Sequence, residues 1–160
     1  MESRAKSLAV GASLLAAALI LSYIEAILPI AGFRIGLANI AVILASRLIS
    51  RRMGLAVMLS RVIITSVLFG SATTFAFSIT GGLFAWLVID IALMMPDKLS
   101  LIGLSVLAAA AHNLGQVIAA CIILGSLSPL TMLWWLFLLA VPAGLVTGFL
   151  SEIICHRIKL

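Results

Sequence analysis

His112, Asn113 and Gln116 interrupt a stretch that is otherwise apolar. His112 and Gln116 are four apart, so a helix puts them on one face, and Asn113 flanks Gln116 at a spacing of three. An imidazole and two amides can hold a solute by hydrogen bonds, or tie one helix to the next. The alanines at 108–111 and Gly115 keep this segment thin, which leaves room for close packing or for a ligand. A second set is Glu25, Arg34 and Asn39, spread around Pro29, Gly32 and Gly36. Glu25 and Arg34 either pair with one another at an interface or form the rim and lid of an outward-facing pocket. The third feature is Arg61, between Ser60 and Val62. Its permanently charged guanidinium suits a carboxylate or a phosphate. It either snorkels to the nearest aqueous face or meets an internal anion such as Glu25, Asp90 or a ligand. A metal site is not expected, because the other histidine, His156, lies far off near the C-terminal end.

These groups are few because the chain has few polar groups at all. Of 160 residues, 64% are hydrophobic and 9% charged, and the mean hydropathy is +1.35. A soluble domain carries roughly a quarter charged residues, so this composition excludes a water-soluble globule and points to an all-α integral membrane protein. Two cysteines, Cys121 and Cys155, in apolar context exclude a disulfide scaffold. The spans are read as helices at about 8–28, 36–50, 53–69, 75–95, 101–124 and 129–154, a six-transmembrane-helix bundle within one domain, 1–160. The second and third are short and each carries an arginine, so a re-entrant segment there is the alternative. The basic start and first apolar run are read as a retained helix, since about 20 apolar residues exceed the ~7–15 of a signal sequence core.

The net charge of +5 would suit nucleic acid if the cations formed a stripe. They flank the apolar runs instead, as the positive-inside rule requires, and no nucleic-acid role is expected. Arg4 and Lys6, then Arg47, Arg51 and Arg52, then Lys98, then Arg157 and Lys159 all fall on one side of six spans. That side is read as the cytoplasm, with both termini there. Asp90 and Asp97 are expected to pair with Lys98 or Arg51, and Trp134 and Trp135 to sit in an aromatic belt at the outer start of the last span. Ser78 to Gly82 and the segment 69–71 are read as bracketing the outer turn between the third and fourth spans. Along the first helix, Ala5, Ala9, Ser13 and Ala17 recur every four residues, with Ala12 and Ala16 as a second row. Such spacing permits close helix approach, either within the bundle or against another membrane subunit.

The ordered segments Tyr23-Ile24-Glu25 with Leu28-Pro29, Gly36-Leu37-Ala38-Asn39-Ile40, Ser60-Arg61-Val62, Leu68-Phe69-Gly70-Ser71, Ser78 with Gly81-Gly82, and Ala111-His112-Asn113-Leu114-Gly115-Gln116 resemble the Gx transporter family, also named heptaprenyl diphosphate synthase component I. The resemblance spans about residues 8–150 and is most specific in the 36–40 and 111–116 segments. The family is similar to the S components of energy-coupling factor (ECF) transporters. The resemblance implies an S-component-like bundle with N- and C-termini cytoplasmic. It implies capture of a small vitamin-like, anionic or isoprenoid-related solute from outside, for an ABC importer in the plasma membrane of a prokaryote. It implies as partners a transmembrane coupling subunit and two ATPases, docked on the small-residue face of Ala9, Ala12, Ser13 and Ala16. In that setting Glu25, Arg34, Asn39, Arg61, His112, Asn113 and Gln116 are the expected substrate-binding set, with Tyr23, Pro29 and Phe33 as gate or lid.

The synthase name has a physical test. Metal-assisted diphosphate chemistry needs clustered carboxylates. Here Asp90 and Asp97 are seven apart, and Glu2, Glu25 and Glu152 are distant. No Gly-x-x-x-x-Gly-Lys phosphate loop is present, so ATP hydrolysis is expected in partner subunits. No enzyme activity and no cofactor are expected; the alternative is a membrane subunit of prenyl diphosphate or quinone precursor metabolism.

Overall fold

A computed structural model describes residues 2–27, 36–95 and 99–158, with the backbone alone for residues 2, 3 and 69. Among these residues there is no strand. The helices are α1 (Glu2–Ile27), α2 (Asn39–Leu48), α3 (Arg51–Phe69), α4 (Ala72–Leu93), α5 (Leu101–Leu124) and α6 (Leu133–Arg157), with a 3-10 turn at Ser128–Met132 leading into α6.

Serines set three of the helix starts. Ser50, Ser71 and Ser100 are extended N-caps whose hydroxyls accept from the backbone N–H of Met53, Thr74 and Gly103. Each satisfies one of the amides that the first turn leaves without a carbonyl. Ser71 therefore starts α4 earlier than the predicted 75, and Ser78, Gly81 and Gly82 lie inside a helix, buried. The reading of those residues as an outer turn is corrected by that cap. Gly125, in the left-handed region at φ +59°, closes α5.

Four helical segments, Arg4–Ile27, Ala72–Leu93, Leu101–Leu124 and Ser128–Arg157, are long and apolar enough to cross a membrane. The chain is thus a multi-pass helical protein by length and composition. The predicted second span, 36–50, is different. Residues 36–38 form a turn, and α2 has only 10 residues, about 15 Å against a hydrocarbon thickness of about 30 Å. Its buried residues include Asn39 through Ser46 in unbroken succession. A helix covered on every side lies inside a bundle, and α2 touches each of the other five helices.

Below the polar centre, Val42 and Ile43 of α2 pack with Met58 and Val62 of α3, Ala85 and Ile89 of α4, and Leu104 and Ala108 of α5. Ala18 of α1 packs on Ala41, Ala45 and Val57. The α5–α6 seam is closer still. A Cβ on Gly144 would collide with the Cα of Val106, and one on Gly148 would stand 2.6 Å from the Cα of Ile102. Between them the Ser105 and Thr147 hydroxyls hydrogen-bond. Lipid offers no hydrophobic drive for helix association, so such close approach and interhelical hydrogen bonds carry it.

The basic segments gather at one end. Gly11 of α1 faces Met53 at the start of α3, which puts Arg4 and Lys6 on the side of Arg51 and Arg52. Arg47, Ser100, Glu152 and His156 line one open cleft of about 440 Å³ at that end. Arg51 and Asp90 pair at 3.4 Å, one of the two partners expected for that aspartate. Asp97, Lys98 and Lys159 lie outside the described residues.

Replacing Gly144 with alanine is expected to push α5 and α6 apart and to cost about 1–3 kcal/mol. Thermal unfolding of the detergent-solubilised protein would show a lowered midpoint.

Candidate functional site

Five helices contribute buried polar side chains to the interior of the bundle. On α1, Ser22 and Glu25 are three apart, on the face that also carries the buried Gly11 and Ala18. Asn39 opens α2, Arg61 and Thr65 come from α3, Ser78 from α4, and His112 and Gln116 from α5; all are buried.

Arg61 is 3% exposed, and its Nη1 donates to the Ser22 Oγ at 3.5 Å. It points across the interior to α1 and does not snorkel to an aqueous face. Nη2 stands 3.7 Å from where a Cβ on Gly82 would be. A buried guanidinium persists only where polar partners offset its lost hydration. The small residues of α4 let it approach that helix.

Glu25 accepts from the backbone N–H of Leu37 through Oε1. This bond ties the turn before α2 back to α1, twelve residues earlier in sequence. The same turn is closed locally by Asn39 N–H to the Gly36 carbonyl and Ile40 N–H to the Leu37 carbonyl. Gly36 has φ +89°, a conformation that side chains with a Cβ rarely adopt. Its bare backbone faces Asn39 and His112: a Cβ there would stand 2.9 Å from Asn39 Nδ2 and 3.6 Å from His112 Cδ2. Across the ring, a Cβ on Gly81 would stand 2.9 Å from His112 Cε1. The imidazole is thus flanked by two glycine backbones, one from the turn before α2 and one from α4.

The polar residues read from the sequence therefore divide. Glu25, Asn39, Arg61, His112 and Gln116 are all buried, and Glu25, Asn39 and His112 meet the Gly36–Leu37 turn. Asn113 turns the other way: its Nδ2 donates to the Leu136 carbonyl at 2.8 Å, tying α5 to α6. Tyr23 is exposed on the flank of α1. Pro29, Phe33 and Arg34 lie outside the described residues. Ser22 and Thr65 were not read as site residues in the sequence, and Ser78 was read only as part of an outer turn, although Ser22 is one turn from Glu25 and Thr65 one turn from Arg61. Serine and threonine are too common in membrane helices for that spacing to be a signal.

Ala9, Ala12, Ser13 and Ala16 are all exposed. The intramolecular alternative for this small-residue face is therefore not what the fold uses. Ser13 returns its hydroxyl to the Ala9 carbonyl at 3.0 Å, so the face presents no unsatisfied donor there.

Fold and centre together define a multi-pass α-helical membrane protein with charged and polar groups enclosed among its helices. Residues 14–154 match the family described as heptaprenyl diphosphate synthase component I, and the chain belongs to that family, the Gx transporter family. No curated protein and no solved structure matches it.

Glu25→Ala is expected to leave the Leu37 amide unpaired and to cost about 1.5–3 kcal/mol, the range for a hydrogen bond to a charged group. Glu25→Gln keeps an acceptor and should lose less. Hydrogen exchange at Leu37, measured for both variants, checks the order.

Proposed function

We propose that the chain is the solute-binding S component of an ECF-type importer. It captures a small vitamin-like, anionic or isoprenoid-related solute from outside and passes it inward on ATP hydrolysis by partner subunits. In this reading the basic end of the bundle is cytoplasmic, both termini lie there, and the membrane is the plasma membrane of a prokaryote. The chain makes six passes, with α2 as the half-length one beside the solute. Glu25, Arg34, Asn39, Arg61, His112 and Gln116 hold the solute; Asn113 braces the wall behind them. Tyr23, Pro29 and Phe33 form the gate, and the coupling subunit docks on Ala9, Ala12, Ser13 and Ala16.

The observation that carries this reading is the two-sidedness of α1. One face sends Ser22 and Glu25 into the buried centre, while the small-residue face stays uncovered along the same helix. A rigid helix joining a solute site to a docking face is what a capture subunit driven by a separate motor needs. The alternative, a membrane subunit of prenyl diphosphate or quinone precursor metabolism, draws on the family's description. The spread of carboxylates favours transport: Glu25 holds the Leu37 amide, Asp90 pairs with Arg51, and Glu152 lines the cleft at the basic end.

Co-expression with a coupling subunit and its two ATPases should yield one complex. Ala12→Leu with Ala16→Leu is expected to abolish that complex without lowering the melting point of the isolated chain, because both positions are exposed. Retention of the complex by the double variant would remove the docking assignment. Conversion of a prenyl diphosphate by the purified chain would favour the enzyme reading.

A further inference from the structure

Asn39 carries a buried side-chain amide that no hydrogen bond among the described residues uses. Its side chain is 4% exposed. Among the described residues neither Nδ2 nor Oδ1 has a hydrogen-bond partner. Burying an unsatisfied polar group is costly, and here a donor and an acceptor are left together. Local structure does not account for the residue. Asparagine at a helix start commonly serves as the N-cap, but the N-cap of α2 is Ala38, which makes no side-chain bond. The Asn39 and Ile40 amides that a cap might satisfy already donate to the Gly36 and Leu37 carbonyls. Asn113 makes the contrast, because its Nδ2 is occupied by the Leu136 carbonyl of α6.

A glycine stands beside the Asn39 amide. Nδ2 faces Gly36, held at φ +89°, and the His112 ring faces that same glycine. A side chain at 36 would stand against both groups. A buried amide beside a glycine, with neither atom bonded among the described residues, is a paired donor and acceptor.

We infer that Asn39 recognises a solute through an edge that carries an acceptor and a donor side by side: a cyclic amide, a carboxamide or an amino-substituted heteroaromatic ring. Nδ2 donates to the solute's carbonyl or ring nitrogen, and Oδ1 accepts from the adjacent N–H. A carboxylate or phosphate would engage Nδ2 alone and set its negative charge against Oδ1, so an anionic group on the solute belongs away from Asn39. The inference rests on the reading of the buried centre as a solute site and gives that site a substrate class.

The test uses the full chain in detergent, with no partner subunit. Uracil and nicotinamide present the paired edge; 1,3-dimethyluracil and nicotinate lack it. Calorimetric titration should show binding of the first two and at least about tenfold weaker binding of the second two. Asn39→Asp, which lacks the amide donor, should weaken uracil at least about tenfold. Asn39→Leu should abolish binding and raise the melting point of the ligand-free protein, since it removes two unsatisfied atoms. An amide with a purely structural role gives the opposite shift. The inference is overturned if neither paired-edge probe binds, if the matched controls bind equally, or if Asn39→Leu lowers the melting point. Loss of complex formation with a coupling subunit would count against the transporter reading and leave these titrations unaffected. An intact complex with no preference for the paired edge would remove the Asn39 assignment alone.

Discussion

A guanidinium in the low-dielectric middle of a helical bundle constrains everything packed around it. Arg61 is always charged, and a charge out of water is costly unless hydrogen-bonding groups replace its hydration. The bundle answers part of that demand by bringing α1 close enough for Ser22 to accept from Nη1, and the small Gly82 of α4 leaves room beside Nη2. Glu25, one turn beyond Ser22, then holds the turn that leads into α2. The position of α2, and with it Asn39, follows from a chain of contacts that begins at Arg61. The outer surface is the reverse, with Val67, Leu138 and Leu145 among many large apolar side chains left exposed. Polar inside and apolar outside is the distribution expected where the solvent is hydrocarbon.

Two kinds of packing support this centre. On one side, α5 is pressed between α4 and α6 by glycine contacts: Gly81 against the His112 backbone and ring, and Gly144 and Gly148 against Val106 and Ile102. Backbones this close leave little freedom, so His112 and Gln116 are carried on a stiff slab. On the other side, α1 meets the bundle along the narrow face of Gly11, Ala18, Ser22 and Glu25, and most of its remaining surface is exposed. The centre therefore lies between a tightly seamed wall and a helix free to make a second contact.

Much of this was legible in the sequence because a membrane restricts what is permitted. The apolar runs located the long helices, since backbone groups in lipid must be satisfied within the helix. Glu25, Arg61, His112 and Gln116 stood out because polar groups at depth are costly and therefore rare. Asn113 looked identical to its neighbours by that criterion. Its direction toward the Leu136 carbonyl depends on where α6 lies, which no local spacing records. The early start of α4 turned on one serine cap, and serine is too common in this chain to be distinctive. The length of α2 was hidden for another reason: its residues are as apolar as those of a true span, and hydropathy does not distinguish a helix bathed in lipid from one enclosed by other helices.

The sequence by itself determined the class of protein, the approximate helices, the family and the short roster of buried polar groups. Those follow from composition and from the cost of polar atoms in hydrocarbon, which act residue by residue. Only the tertiary structure decided that the small-residue face of α1 stays uncovered, that Arg61 crosses to α1, that α2 is a half-length interior helix, and that the Asn39 amide lies beside Gly36 and His112 without a protein partner among the described residues. These are questions of which groups meet across helices, and helix crossing geometry is set by the packing of whole faces.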